Sequence, residues 1–107
     1  IDCRNEKEWV SIGVPDLSSI GKTLLKIELV RQDQSINSQF VGQVEEYATR
    51  ETPLYLICKS GVRSAAACQM LIRAGFNNVT NVAEGFEGLS QSDLSDGWKS
   101  HSLPWKR

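Results

Sequence analysis

The feature that most constrains this chain is a junction near its middle. The apolar run Leu54-Tyr55-Leu56-Ile57 passes straight into Cys58-Lys59-Ser60-Gly61-Val62-Arg63-Ser64, and an alanine-rich helical stretch follows at once. A strand, a tight loop holding a cysteine and a helix start together make a site for a thiolate. Backbone N–H groups at a helix N-terminus stabilise negative charge, and the thiolate is the reactive form of cysteine. Gly61 lets the loop curl with its N–H groups pointing inward, a conformation that other residues resist. Those donors, the helix dipole, Lys59 and Arg63 all favour the anion, and the same cup suits an anionic substrate beside the sulfur. A core cysteine that merely ends a strand requires none of these neighbours.

The rest of the chain supplies a setting for that loop. Ile1-Asp2-Cys3 reads as the end of a strand. Asn5 with Glu8 three residues later is a capping pattern, so Glu6 to about Ile12 is predicted helical. Gly13 through Thr23 is loop-like. Leu25, Ile27 and Leu29 alternate with more polar neighbours and predict a half-buried strand. Asn37 opens a helix with Phe40, Val41, Val44, Tyr47 and Ala48 on one face. Leu54 to Ile57 is apolar throughout, as a central parallel strand covered on both faces would be. Ser64 to Ala74 forms the next helix, mostly covered and ended by Gly75. Val79 to Val82 is a further strand before the turn-rich segment from Ala83 to Gly88.

Alternating strands and helices predict an α/β domain with a mainly parallel sheet, whose sites lie at the carboxyl ends of its strands. Both Cys58 and the loop from Ala83 to Gly88 fall at such ends. The 107 residues suit one domain, spanning 1–107. The formal net charge of −1 provides no general attraction to nucleic acid or to an anionic membrane, so neither is expected as a partner. The three cysteines, Cys3, Cys58 and Cys68, form no C-x-x-C pair, and His101 is the one histidine. Neither a zinc site nor a disulfide framework is indicated, and a reducing, cytoplasmic setting is expected.

At this point the residues carry a resemblance. The run from Cys58 to Ser64 resembles the active-site loop of single-domain rhodaneses, a sulfurtransferase family. Asp2-Cys3-Arg4 with Glu8-Trp9 is similar to the family's early Asp-x-Arg…Glu segment. Ala74-Gly75-Phe76 and Asn81-Val82-Ala83-Glu84-Gly85-Phe86 resemble the stretch after its active-site helix, and Gly97-Trp98 with Leu103-Pro104-Trp105 resembles its ending. The resemblance implies a rhodanese-like α/β fold with about five parallel strands and helices on both faces. It also implies double displacement through a Cys58 persulfide, without metal or organic cofactor. A small anionic sulfur donor such as thiosulfate would load the cysteine, and cyanide, a thiol or a protein acceptor would unload it. Lys59, Ser60, Gly61, Val62, Arg63 and Ser64 would form the substrate-binding loop around Cys58.

Two departures from the family pattern stand out. Gly13-Val14-Pro15-Asp16-Leu17 replaces the usual Gly-His-Ile-Pro-Gly-Ala, which alters the wall near the site. Members carry a helix and an edge strand before the Asp-x-Arg strand, whereas this sequence starts just before Asp2, so those elements are expected to be absent from the domain 1–107. Residues 89–107 are expected to pack as a C-terminal tail on the domain, with Trp98 and Trp105 against the sheet.

Other functions fit less well. Cysteine phosphatases and arsenate reductases need Cys-x5-Arg to close a cup around a tetrahedral oxyanion, whereas four residues separate Cys58 from Arg63 here. A non-catalytic rhodanese-like binding module typically lacks the cysteine. A persulfide carrier served by a dedicated partner stays compatible with the loop. Among supporting residues, Arg63 is expected to brace the loop against an acid such as Glu84 while touching the substrate. Ser60 either offers its hydroxyl to the persulfide or completes the turn. Ser64 is expected as the helix N-cap, Arg4 and Glu8 as an ion pair four residues apart, and Cys3 and Cys68 as core. No catalytic role is assigned to His101.

Overall fold

The structure is a computed structural model that describes residues 1–88, 97–100 and 103–106. Its elements in chain order are helix α1 (Glu6–Ile12), strand β1 (Val14–Pro15), a 3-10 turn (Ser18–Ile20), helix α2 (Phe40–Glu45), strand β2 (Leu54–Leu56), helix α3 (Val62–Arg73), strand β3 (Val79–Asn81), helix α4 (Gly97–Ser100) and strand β4 (Trp105–Lys106).

Strands β2 and β3 are parallel, with Leu54 opposite Val79 and Leu56 opposite Asn81. Segments 1–3 and 25–29 continue the same layer through parallel bridges from Asp2 to Ile57 and to Lys26. The N–H of Cys3 donates to the Ile57 carbonyl and that of Ile27 to the Asp2 carbonyl. The spatial order is therefore 25–29, 1–3, β2, β3. Among the described residues four parallel segments make up this sheet, and a separate antiparallel pair joins β1 to β4.

The core lies on one face of the parallel layer. Leu54 and Leu56 of β2 meet Phe40 and Val44 of α2, and Ala67, Cys68 and Leu71 of α3, with Cys3, Ile27, Leu29 and Phe76 closing the cluster. The opposite face is less covered than an all-apolar strand leads one to expect. Tyr55 points away from the core and is 63% exposed. It borders an apolar groove of about 550 Å³ with Leu17, Leu25, Ile57 and Trp98. The helices also differ in detail from the sequence pattern. α2 stops at Glu45, so Tyr47 lies beyond its last turn and is exposed. α3 begins two residues early and buries one stripe, Ser64, Ala67, Cys68 and Leu71, while Gln69, Ile72 and Arg73 face outward.

Two local signals hold. Asn5 and Glu8 form the full capping box of α1. Gly75, one residue past the α3 cap residue Ala74, takes the left-handed φ of 96° that ends such helices. Expectations for His101 and for residues 89–96 lie outside the described residues.

Candidate active site

Strand β2 delivers Cys58 to the carboxyl edge of the sheet, and the chain turns at Gly61 into α3. Gly61 is the N-cap residue, with φ 94°. A Cβ at this position would collide with the Ala83 carbonyl oxygen, so both backbone sign and space require glycine. Gly85 answers from the neighbouring loop. Its φ is 71°, and a Cβ there would meet the Lys59 carbonyl. The two loops are stitched by Phe86 N–H to Cys58 O at 2.7 Å and Glu87 N–H to Lys59 O at 2.9 Å. The segment from Ala83 to Gly88 thus backs the cysteine loop along its length.

Within the cup, three donors face one sulfur. The N–H of Gly61 lies 3.1 Å from Cys58 Sγ, the N–H of Ser64 3.3 Å, and the Ser64 hydroxyl 3.2 Å. Such donors at a helix start are what a sulfur-centred anion needs. Cys58 itself is 1% exposed, so the sulfur sits at the bottom of the loop. Ser64 is not the N-cap: Gly61 holds that position, and α3 has no side-chain cap. The serine occupies the first turn instead, where its hydroxyl reaches both Cys58 and Asn81. Asn81, at the end of β3, accepts from Ser64 Oγ at 2.5 Å and donates to the Gly61 carbonyl at 3.2 Å.

The ion pairs differ from those read along the chain. Arg63 grips Glu8 of α1 with both prongs, at 2.7 and 2.8 Å, rather than Glu84. Burial raises the Glu8 carboxyl, but the Arg63 hydrogen bond, the Asn5 N–H and the charges of Arg63 and Arg4 outweigh it and hold it below the usual range. Arg4 turns away from Glu8 and pairs with Asp2, Nη2 to Oδ2 at 2.7 Å, with both side chains fully buried. Arg4 also donates to the Gly13 carbonyl at 2.6 Å and lies 4.5 Å above the Phe86 ring. It ties the end of the first sheet segment to the start of β1 and to the backing loop. Glu8 therefore pairs across to α3 rather than along its own segment, and Arg4 pairs within the first sheet segment.

Lys59 and Ser60 are half-buried at the mouth, and Lys59 makes no ion pair among the described residues. Val62 is exposed beside them. Cys3 and Cys68 are buried core thiols, and all three cysteines are free. Burial, reinforced by the nearby Cys58, pushes the Cys3 thiol up to about 12. The tail reaches the backing loop: Trp98 N–H donates to Gly85 O at 2.9 Å, and Trp105 packs edge-on against Phe86. Asn81 and Glu8 escaped the sequence reading as site residues. Their only signals were a polar residue closing a strand and a helix-cap acid with a free second oxygen.

No cluster of metal-ligating side chains occurs among the described residues, and no helix there is long and apolar enough to cross a membrane. The family model for the rhodanese-like domain matches residues 1–92. The chain belongs to the rhodanese-like domain family. It is 36% identical to a solved structure, "Crystal structure of Rv0390 from M. tuberculosis", with a TM-score of 0.87 over 98% of this chain and 80% of that one. This similarity supports the rhodanese-like α/β fold. The chain is 31% identical over 107 residues to "Uncharacterized protein RP600" of Rickettsia prowazekii, covering 99% of this chain and 80% of that protein. It is also 38% identical over 60 residues to "Rhodanese-like domain-containing protein 11, chloroplastic" of Arabidopsis thaliana, spanning 56% of this chain and 20% of that protein.

Proposed function

We propose that this rhodanese-like chain is a single-domain sulfurtransferase, built on a sheet of about five strands, that works through a Cys58 persulfide. The observation that carries the reading is the convergence of the Gly61 N–H, the Ser64 N–H and the Ser64 hydroxyl on Cys58 Sγ at the start of α3. Cys58 thiolate attacks the outer sulfur of a donor such as thiosulfate. The Sγ–S bond forms, the donor's S–S bond breaks, and sulfite leaves with the electron pair. An acceptor, cyanide or a thiol, then attacks the outer sulfur and returns the pair to Sγ. Charge is conserved in both steps, and no external oxidant enters.

The loop donors serve the sulfur at each stage, and Lys59 at the mouth supplies a cation for the donor's oxygens. Arg63 contributes by fixing the first turn of α3 against α1. Three free cysteines favour a reducing compartment, and the cytoplasm is the proposed location. The test is the intact mass of reduced protein before and after thiosulfate, beside Cys58→Ser. A gain of one sulfur on wild type alone, reversed by cyanide, is the expected result. A gain on Cys58→Ser as well, or no gain with any sulfane donor, would overturn the reading.

A further inference from the structure

The Ser64 hydroxyl has two acceptors and one proton. Its Oγ stands 3.2 Å from Cys58 Sγ and 2.5 Å from Asn81 Oδ1. The far end of the Asn81 side chain decides which way its amide faces. Nδ2 donates to the Gly61 carbonyl at 3.2 Å, an atom that can only accept. Oδ1 therefore faces Ser64, and a proton between these two oxygens must come from the serine. When it lies there, Cys58 Sγ keeps the two backbone N–H groups and loses the hydroxyl.

We infer that Asn81 is a positioning residue that competes with Cys58 Sγ for the Ser64 proton and thereby biases the two half-reactions in opposite directions. The inference rests on the sulfurtransferase reading and deepens it. In the reacting thiolate the negative charge is on Sγ and draws the proton toward sulfur. After loading, the charge moves to the outer sulfur, Sγ is neutral, and Asn81 Oδ1 becomes the better acceptor. Asn81 thus stabilises the loaded state relative to the free thiolate. Loading forms the Sγ–S bond and expels sulfite, and unloading breaks that bond and returns its pair to Sγ. A thiolate holding an extra hydrogen bond is a weaker nucleophile and a better leaving group. Without Asn81 the hydroxyl has only sulfur to bond. Loading then slows and unloading quickens.

General damage to the loop would slow both steps together, so the split separates positioning from structure. The experiment measures single-turnover loading by thiosulfate and unloading by cyanide in wild type, Asn81→Ala, Ser64→Ala and the double variant. Asn81→Ala is expected to slow loading and to speed unloading, each by about two- to fourfold, because one net hydrogen bond is shared between the two steps. In the Ser64→Ala background the Asn81 effect on the ratio should vanish, because no hydroxyl remains to be redirected. Equal slowing of both steps, or a ratio shift that persists without Ser64, would overturn the inference. A second arm needs no sulfur donor: the alkaline plateau rate of Cys58 carboxamidomethylation, followed on its peptide. Asn81→Ala should lower that plateau about two- to fivefold, again only when Ser64 is present. A wild type that alkylates but never loads sulfur defeats the sulfurtransferase reading, whereas an unchanged plateau in Asn81→Ala defeats the role of Asn81.

Discussion

Arg63 at the start of α3 and Glu8 on α1 form a two-pronged ion pair, Nη1 to Oε1 at 2.7 Å and Nη2 to Oε2 at 2.8 Å. The Glu8 Oε1 also accepts from the Asn5 N–H, so one carboxylate closes the α1 capping box and fixes the first turn of α3. The arginine of the cysteine loop is consequently engaged by protein. Its charge still contributes to the field around Cys58, while two of its five N–H donors orient the helix.

Replacing Glu8 by Gln keeps the shape and removes the charge. The pair is about four-fifths covered, with side-chain exposures of 26% and 19%. A loss of about 1 kcal/mol is expected for a charge-assisted contact partly screened by solvent. Its pH dependence has a definite sign. The Glu8 carboxyl is held below its ordinary value in the folded chain, so the contribution is present above the unfolded value of about 4.3 and is lost as pH falls through the lower folded one. Urea midpoints of wild type and Glu8→Gln should differ at pH 7 and draw together as pH falls below the unfolded value of about 4.3.

Gly61→Ala tests the loop backbone. A left-handed φ costs an alanine about 1 kcal/mol or more, and here its methyl would also strike the Ala83 carbonyl. A loss above about 2 kcal/mol is expected by urea unfolding. Alkylation of Cys58 should change with it, since the Gly61 N–H faces the sulfur. An ordinary melting temperature and an unaltered alkylation rate would show that the two loops can part without consequence.

The Asp2–Arg4 pair is fully buried, so breaking it differs from replacing it. Asp2→Ala strands a guanidinium in the core and should cost about 3–5 kcal/mol. Asp2→Val combined with Arg4→Leu removes both charges and should recover much of that loss. A double-mutant cycle in urea reads the coupling directly; additive effects would mean that the Gly13 carbonyl and the Phe86 ring hold Arg4 without Asp2.

Much of what the chain disclosed in advance was contiguous in sequence, although Arg4 and Glu8, four residues apart, take other partners. The capping box of Asn5 and Glu8 was legible because both halves lie within one helical turn. The cysteine loop was legible because strand, glycine and helix start are contiguous. Glu8 with Arg63 was not, since the two lie 55 residues apart and each has a nearer candidate in sequence. Ser64 was read as a cap because serine favours that position, yet the left-handed Gly61 takes the cap and frees the hydroxyl for sulfur. Tyr55 looked buried because aromatic residues in an apolar strand usually are. Its exposure depends on what covers the second sheet face, which no local pattern encodes.

Cys3 provides a test at the alkaline end. Its side chain is fully buried against the Ile57 carbonyl, and burial with Cys58 nearby pushes the thiol up to about 12. In the unfolded chain the same thiol ionises near 8.5. A folded value raised above the unfolded one means that stability is whole below about pH 8.5 and falls as pH rises toward about 12, because only the unfolded chain gives up the proton. The loss grows by about 1.4 kcal/mol per pH unit above the unfolded value. Cys3→Val fills the same space without a titrating group and leaves Cys58 and Cys68 in place, so their contributions cancel in the comparison. Wild type should therefore lose about 1.4 kcal/mol more than Cys3→Val between pH 7 and 9.5 in urea unfolding under reducing conditions. Parallel pH profiles for the two proteins would show that Cys3 ionises as readily folded as unfolded, and that its pocket is open to water.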